Sequence, residues 1–252
     1  MILGVHLTDI LPFIAIGFAA QIVDGALGMA FGVIASTLMV SVMGVPPARA
    51  SAGVHLVEMF TTAASGISHV LHKNVDWKLF SRLVIPGIIG GVVGAYVLSI
   101  SGDFARPFVM TYLSLIGLYL LLRAFGIPPK PREPRVIAPL GLIGGFLDAA
   151  GGGGWGPVVT SNLLIQGTNP RETIGTVNTA EFFLTTVISI TFVLTLGVEA
   201  FTIATMGLLI GGVIAAPFGA ILVKRVQPRL LLGLVGTVLT LTSAYSVYRA
   251  LT

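Results

Sequence analysis

A chain of 252 residues that is 55% hydrophobic and only 10% charged lacks the polar surface to cover a water-soluble globule of its size, which places it in a lipid bilayer. Without cysteine it holds neither disulfides nor thiolate or iron–sulfur chemistry, and four scattered histidines make no structural zinc site, so no cofactor or metal is expected. The net charge of +4 does not point to nucleic acid, because the basic residues sit in short loops between apolar runs, the pattern that orients membrane helices.

The first apolar segment, residues 5–43, is interrupted by a glycine-bearing break near residues 24–30. No basic stretch precedes it and no small-residue cleavage site closes it, so it is expected to be retained and not removed as a signal peptide. Uninterrupted spans follow at residues 50–71, 79–100 and 104–122. The proline- and arginine-rich stretch 123–135, RAFGIPPKPREPR, reads as a linker. Beyond it the order returns: a segment at 138–166 broken at 148–154, then spans at 173–196, 200–223 and 229–248. Long apolar runs between short polar turns describe a helical bundle and lack the alternation of a membrane barrel, so the fold class is all-α and polytopic.

The return is visible residue by residue. GFAAQIVDGALGMAFG, from Gly17 to Gly32, comes back as GLIGGFLDAAGGGGWG, from Gly141 to Gly156. At an offset of 124, Gly17, Asp24, Ala26, Gly28 and Gly32 meet Gly141, Asp148, Ala150, Gly152 and Gly156. Further on, VHLVEMFTT meets VNTAEFFLT at an offset of 123, which pairs Glu58 with Glu181, and Gly90-Gly91 meets Gly211-Gly212 at 121. Two halves that share an acid in a glycine-rich break and a second acid in an apolar run predict one site built twice around a pseudo-twofold axis. The organisation is then a first repeat at 1–122, a cytoplasmic linker at 123–135 and a second repeat at 136–252.

The 29 residues of 138–166 cannot hold two full-thickness helices at about 1.5 Å rise per residue, so this segment is expected to dip into the bilayer and return as a re-entrant hairpin. By symmetry the first broken segment does the same. Each half then crosses three times and the two are inverted. The charges agree: eleven Lys and Arg residues, from Lys73 through the linker to Arg229, fall on one side, and only Arg49, Arg106 and Arg249 on the other. That bias puts the linker in the cytoplasm and both termini outside, in a multi-pass protein of the cytoplasmic (inner) membrane.

Of ten carboxylates, Asp24, Glu58, Asp148 and Glu181 fall within apolar segments, where a charge is costly unless it faces a cavity, a partner or the protein interior. The two aspartates also suit plain capping of the half-helix that follows each break. Gly151 to Pro157, GGGGWGP, cannot continue a helix, and free amides at a following helix N-terminus form an anion site. A tight turn with its donors satisfied internally is the competing arrangement. Gly25 and Gly28 form the matching break. No Gly-Lys-Ser/Thr follows the glycine run, which excludes a nucleotide phosphate loop and hydrolytic coupling.

Ser51, Asn178 and Thr179 are hydrogen-bond donors for an oxyanion, and His55 donates or carries a proton. The spacing of three from His55 to Glu58 and from Asn178 to Glu181 puts each pair on one helical face, so a proton shared between His55 and Glu58 is a candidate for coupling, alongside a polar pair that ties two helices together. The candidate substrate set is Asp24, Gly25, Gly28, Ser51, His55, Asp148, Gly152, Gly153, Gly154, Trp155, Asn178 and Thr179. The candidate proton set is His55, Glu58 and Glu181. Trp155 packs against substrate or wedges the hairpin.

The paired D-x-x-x-G-x-x-x-G element, GGGWGP, and NPRETIGTVNTAEFF together resemble the sulfite exporter TauE/SafE family of membrane permeases, over essentially the whole chain. The resemblance implies a transporter, not an enzyme, for small sulfur-containing anions such as sulfite or organosulfonates, energised by a proton or ion gradient. Its site maps onto the two breaks and the segments His55 to Glu58 and Asn178 to Glu181. The first break departs with Leu27, Met29 and Ala30 where the second is nearly all glycine. An anion channel, or a transporter of another small anion, is the alternative. The partners are the small anion and the lipid bilayer, and a homo-oligomer stays open.

Overall fold

The computed structural model describes residues 7–27, 29–126 and 133–222, with scattered positions from 230 to 248. Gly28, residues 127–132 of the linker and nine positions of the expected span at 229–248 lie outside the described residues. All described elements are helical. Helices α1 (Leu7–Leu27) and α2 (Phe31–Ser41) form the first broken segment, followed by α3 (Pro47–Leu71), α4 (Trp77–Ser101) and α5 (Ala105–Ala124). The second consists of α6 (Ala138–Gly151), a π-helical turn (Trp155–Thr160) and the short α7 (Ser161–Ile165); α8 (Pro170–Leu196) and α9 (Ile203–Leu222) follow.

Local chemistry sets where these helices begin. Pro47 and Pro139 occupy first-turn positions of α3 and α6, where a missing amide costs nothing, and Pro170 opens α8. Asp76 caps α4, its Oδ1 accepting the amides of Lys78 at 2.9 Å and Leu79 at 3.0 Å. Helix α5 runs through Arg123 to Ala124, two residues into the stretch read as linker.

Among the described residues, three helical stretches are long and apolar enough to cross a membrane: 77–101, 107–124 and 172–196. The protein is an all-α polytopic membrane protein. Helix α4 shows why water is the wrong solvent. Its outward stripe carries Ile85, Ile89, Val93, Tyr96 and Ile100, all exposed, while Gly87, Gly90, Gly91, Gly94 and Ala95 face inward. Large apolar side chains outside and small ones inside are what lipid permits and close helix packing demands.

The arms of the breaks are unequal. Helix α6, with 14 residues, reaches only ~21 Å at about 1.5 Å per residue, short of the ~30 Å hydrocarbon core. Helix α2 is shorter still, at 11 residues. Helix α1, with 21, reaches ~31 Å, so the first segment enters on an arm of nearly full membrane thickness.

The halves do not fold side by side. Helix α1 lies along α9, α6 lies along α4, and α3 packs on α8. Both outer seams rest on glycine. A methyl group on Gly90 would strike the Leu142 carbonyl, and one on Gly211 would strike the Ile14 carbonyl; Gly141 and Gly17 likewise sit against the carbonyls of Leu83 and Leu208. Backbones this close leave no room for side chains, so the seams act as rigid rails that bring both breaks toward α3 and α8.

Candidate functional site

Each break turns around its aspartate. In the second, Asp148 lies in the last turn of α6, and its carbonyl accepts the amides of Gly152 and, at 2.8 Å, Gly153. Gly152 and Gly153 have φ of 75° and 136°, which side-chain-bearing residues rarely adopt. The chain then re-enters as the π-helical turn, whose first amide, Trp155 N–H, donates to Asp148 Oδ1 at 2.8 Å. In the first break Phe31 N–H donates to Asp24 Oδ1 at 3.2 Å. Ala30, preceding Phe31 as Gly154 precedes Trp155, takes φ 95° despite its methyl group.

These bonds revise the expectation of a loop of free amides. The donors of Gly152, Gly153 and Trp155 are consumed inside the turn, and the half-helix N-terminus already carries a carboxylate of its own chain. The cap wins because Asp148 sits one turn ahead of the break and reaches the first amide without ordering a separate ion.

The two breaks cross in contact. Gly153 lies against Gly32 and Val33, Gly156 against Met29, and Gly152 against Ser36 and Ser51; Ser36 Oγ donates to the Gly152 carbonyl. Ser51, His55 and Glu58 reach this crossing from α3. Ser51 Oγ donates to the Ala149 carbonyl at 2.8 Å. His55 is fully buried; its Nδ1 lies 2.7 Å from the Ser51 carbonyl and its Nε2 3.1 Å from Asp148 Oδ2. The partner expected for His55, Glu58, is replaced by an acid from the other half. Glu58 lies with Oε1 against Gly32, and its buried Oε2 has no hydrogen-bond partner among the described residues.

From α8, Asn178 and Glu181 are half-buried, and Thr179 is buried with its hydroxyl donating at 2.7 Å to Gly175 of its own helix. The Thr179 donor is thus taken. Asn178 makes no side-chain hydrogen bond among the described residues. Glu58 is within electrostatic reach of Asp148, Glu181 and Asp24, and Glu181 of Asp148 and Asp24, so the four intramembrane acids gather in one region. Gly25 lies at the end of α1, Gly154 in the second break, and Gly28 outside the described residues. Arg49 stays exposed at the start of α3.

Trp155 is a wedge. Its ring is wholly buried over Gly87 and Gly144, and its indole N–H donates to the Val177 carbonyl at 3.2 Å. Two participants were not singled out beforehand. Tyr112 on α5 donates its hydroxyl to the Gly153 carbonyl at 3.1 Å, and nothing in a continuous apolar span marks it. Ser36 had a signal: at the repeat offset its counterpart is Thr160, a hydroxyl at the same place in both return arms. Among the described residues no group of three His, Cys, Asp or Glu side chains is placed to hold a metal ion.

A family model described as sulfite exporter TauE/SafE matches residues 13–246. The chain is similar to the "Probable membrane transporter protein YtnM" of Bacillus subtilis (strain 168), 44% identical over 245 residues that cover 93% of this chain and 81% of that protein. No solved structure gives a significant match. With nearly its whole length inside that family model, the chain belongs to the sulfite exporter TauE/SafE family and is a membrane transporter, not an enzyme.

Proposed function

We propose that the protein is a secondary transporter of a small sulfur-containing anion, sulfite or an organosulfonate, working by alternating access and energised by protons. Its two repeats, 1–122 and 136–252, are inverted about an axis through the α3–α8 contact, with a cytoplasmic linker and both termini outside. The observation that carries this reading is the crossing of two interrupted helices beside four intramembrane acids. Interrupted backbone at membrane depth is tolerated where protein or a solute path surrounds it. The repeated aspartate caps and the mirrored glycine seams α1–α9 and α4–α6 support the internal symmetry.

The crossing is also unequal in a way that suits a carrier. The second break is bonded shut through His55 and Asp148, whereas the counterparts Asn178 and Asp24 Oδ2 make no such bond among the described residues. Two equivalent half-sites in different states are what alternating access requires, and a channel does not. An anion that approaches Asn178 meets Asp24, Glu58 and Glu181, so its entry must be accompanied by positive charge, and protons are the least bulky. Vesicles containing the purified protein, challenged with labelled sulfite, sulfate, thiosulfate and sulfoacetate with and without a pH gradient, test the proposal. Saturable, gradient-driven accumulation of a sulfur anion is expected; flux that never saturates and ignores the gradient overturns it.

A further inference from the structure

The contacts of His55 and Asp148 constrain where hydrogens can lie between them. Nδ1 of His55 lies 2.7 Å from the Ser51 carbonyl, which only accepts, so Nδ1 carries a hydrogen. The nearby Ser51 hydroxyl, 3.2 Å from Nδ1, spends its own hydrogen on the Ala149 carbonyl, so it too can only accept there. With Nδ1 protonated, a neutral ring turns the Nε2 lone pair on Asp148 Oδ2 at 3.1 Å. Two lone pairs at that distance repel, and the contact becomes a hydrogen bond only if a proton lies between them. The other oxygen, Oδ1, is committed to the Trp155 amide. Whether the proton is written on nitrogen or on oxygen, the pair has no net charge, which is the form a fully buried site inside a bilayer favours.

We propose that the His55–Asp148 pair is a proton-binding site that locks the second break, and that the proton leaves only when α3 and α6 part. This rests on the transporter reading above and deepens it by naming the coupling site. Asp148, with both oxygens engaged by its own chain, is then a proton site and not a substrate ligand. The groups facing the pair agree with this role. Glu58 on α3 and Glu181 on α8, both within electrostatic reach of Asp148, are acidic, Asp24 on α1 lies within reach of those two, Tyr112 on α5 donates to the adjoining Gly153 carbonyl, and the Phe192 ring stands 6.3 Å from the imidazole. Loss of the proton leaves a net negative pair among three further acids and forces it open, while regaining it recloses the break. One proton bound per closure lets a pH difference drive the cycle.

The variant Asp148→Asn separates the proton from the bonds. Its amide oxygen accepts from Trp155 N–H and its NH2 donates to a neutral His55, so both hydrogen bonds survive with one proton fewer. The first measurement is 15N NMR of histidine-labelled protein in lipid, with His55→Gln supplying the assignment by difference. A His55 signal with hydrogens at both nitrogens, or with Nε2 strongly hydrogen-bonded, at pH 7 is expected; a neutral ring with a free Nε2 overturns the proposal. The second uses labelled sulfoacetate, which stays ionised and so cannot follow a pH gradient through lipid unaided. For one proton per cycle, a gradient of about one pH unit gives roughly tenfold accumulation in the wild type, and Asp148→Asn is expected to abolish it while exchange, though slower, is still measurable. Accumulation retained in Asp148→Asn overturns the proposal, as does loss of exchange together with accumulation in a folded variant, because the pair then holds the site and not the proton. If the wild type moves none of the sulfur anions, the transporter reading for them fails while the NMR result still decides the proton.

Discussion

Asp24 and Asp148 make the same bond in the two halves: each accepts, through Oδ1, the amide of the seventh residue after it, Phe31 at 3.2 Å and Trp155 at 2.8 Å. They part at Oδ2, which in Asp148 meets His55 at 3.1 Å and in Asp24 meets no hydrogen-bond donor among the described residues.

This difference predicts unequal costs of truncation. Asp24→Ala removes a helix cap and is expected to destabilise by about 1 kcal/mol. Asp148→Ala removes a cap and strands a buried histidine, for about 3 kcal/mol or more. Thermal unfolding of the two variants in the same detergent checks the order, and equal midpoints would mean that the His55 contact contributes nothing.

Neighbouring glycines on α4 are expected to respond differently. A methyl group at Gly90 meets backbone, the Leu142 carbonyl and the Phe146 amide nitrogen, which cannot move without parting α4 from α6. One at Gly91 meets the ends of the Leu184 and Ile188 side chains, which can turn aside. Gly90→Ala is predicted to cost about 1–3 kcal/mol and Gly91→Ala less than about 1 kcal/mol, read as the loss of monodisperse protein on heating.

The breaks should tolerate glycine and reject alanine. Ala30→Gly relieves a φ of 95° at the loss of one buried methyl group, so stability is expected to change by less than about 1 kcal/mol. Gly153→Ala adds strain at φ 136° and drives a methyl group into Gly32 and Val33, and little folded protein is expected. Yield of folded protein from membranes distinguishes the two.

Glu58 is predicted to tune the pH response of uptake more strongly than Glu181. Its Oε2 is buried without a partner among the described residues, whereas Glu181 is half-buried. Both acids lie within electrostatic reach of Asp148, so Glu58→Gln, which keeps the shape and removes one acid, should move the pH dependence of the initial uptake rate without abolishing it, because the proton sits on the His55–Asp148 pair. Glu181→Gln should move it less, and a flat profile in Glu58→Gln would place the titrating group on Glu58 instead.

Much of this arrangement can be read before any coordinates are considered. The positions of Asp24 and Asp148, the glycine-marked interruptions and the helices that follow depend on local rules, since helix breaks, proline starts and apolar run lengths are properties of contiguous residues. Helix periodicity likewise puts His55 and Glu58 on one face. It does not say which way an imidazole turns, because that rotamer is chosen by what stands opposite, and Asp148 stands opposite only because α6 is railed onto α4 by glycine. Tyr112 was illegible for the same reason: a hydroxyl in an apolar span acquires meaning from the carbonyl it meets, here Gly153 on another helix.

By itself, then, the sequence determined that this chain lives in lipid, that it is interrupted twice, and that each interruption carries an acid, because hydropathy, glycine and charge act over a few residues. The tertiary structure alone decided that the interruptions touch, that their amides are satisfied by their own aspartates, and that a histidine of one half is bound to an acid of the other. Such pairings join residues 93 positions apart in His55 and Asp148 and 116 apart in Ser36 and Gly152, and their free energy comes from burial and close packing that no local stretch can express.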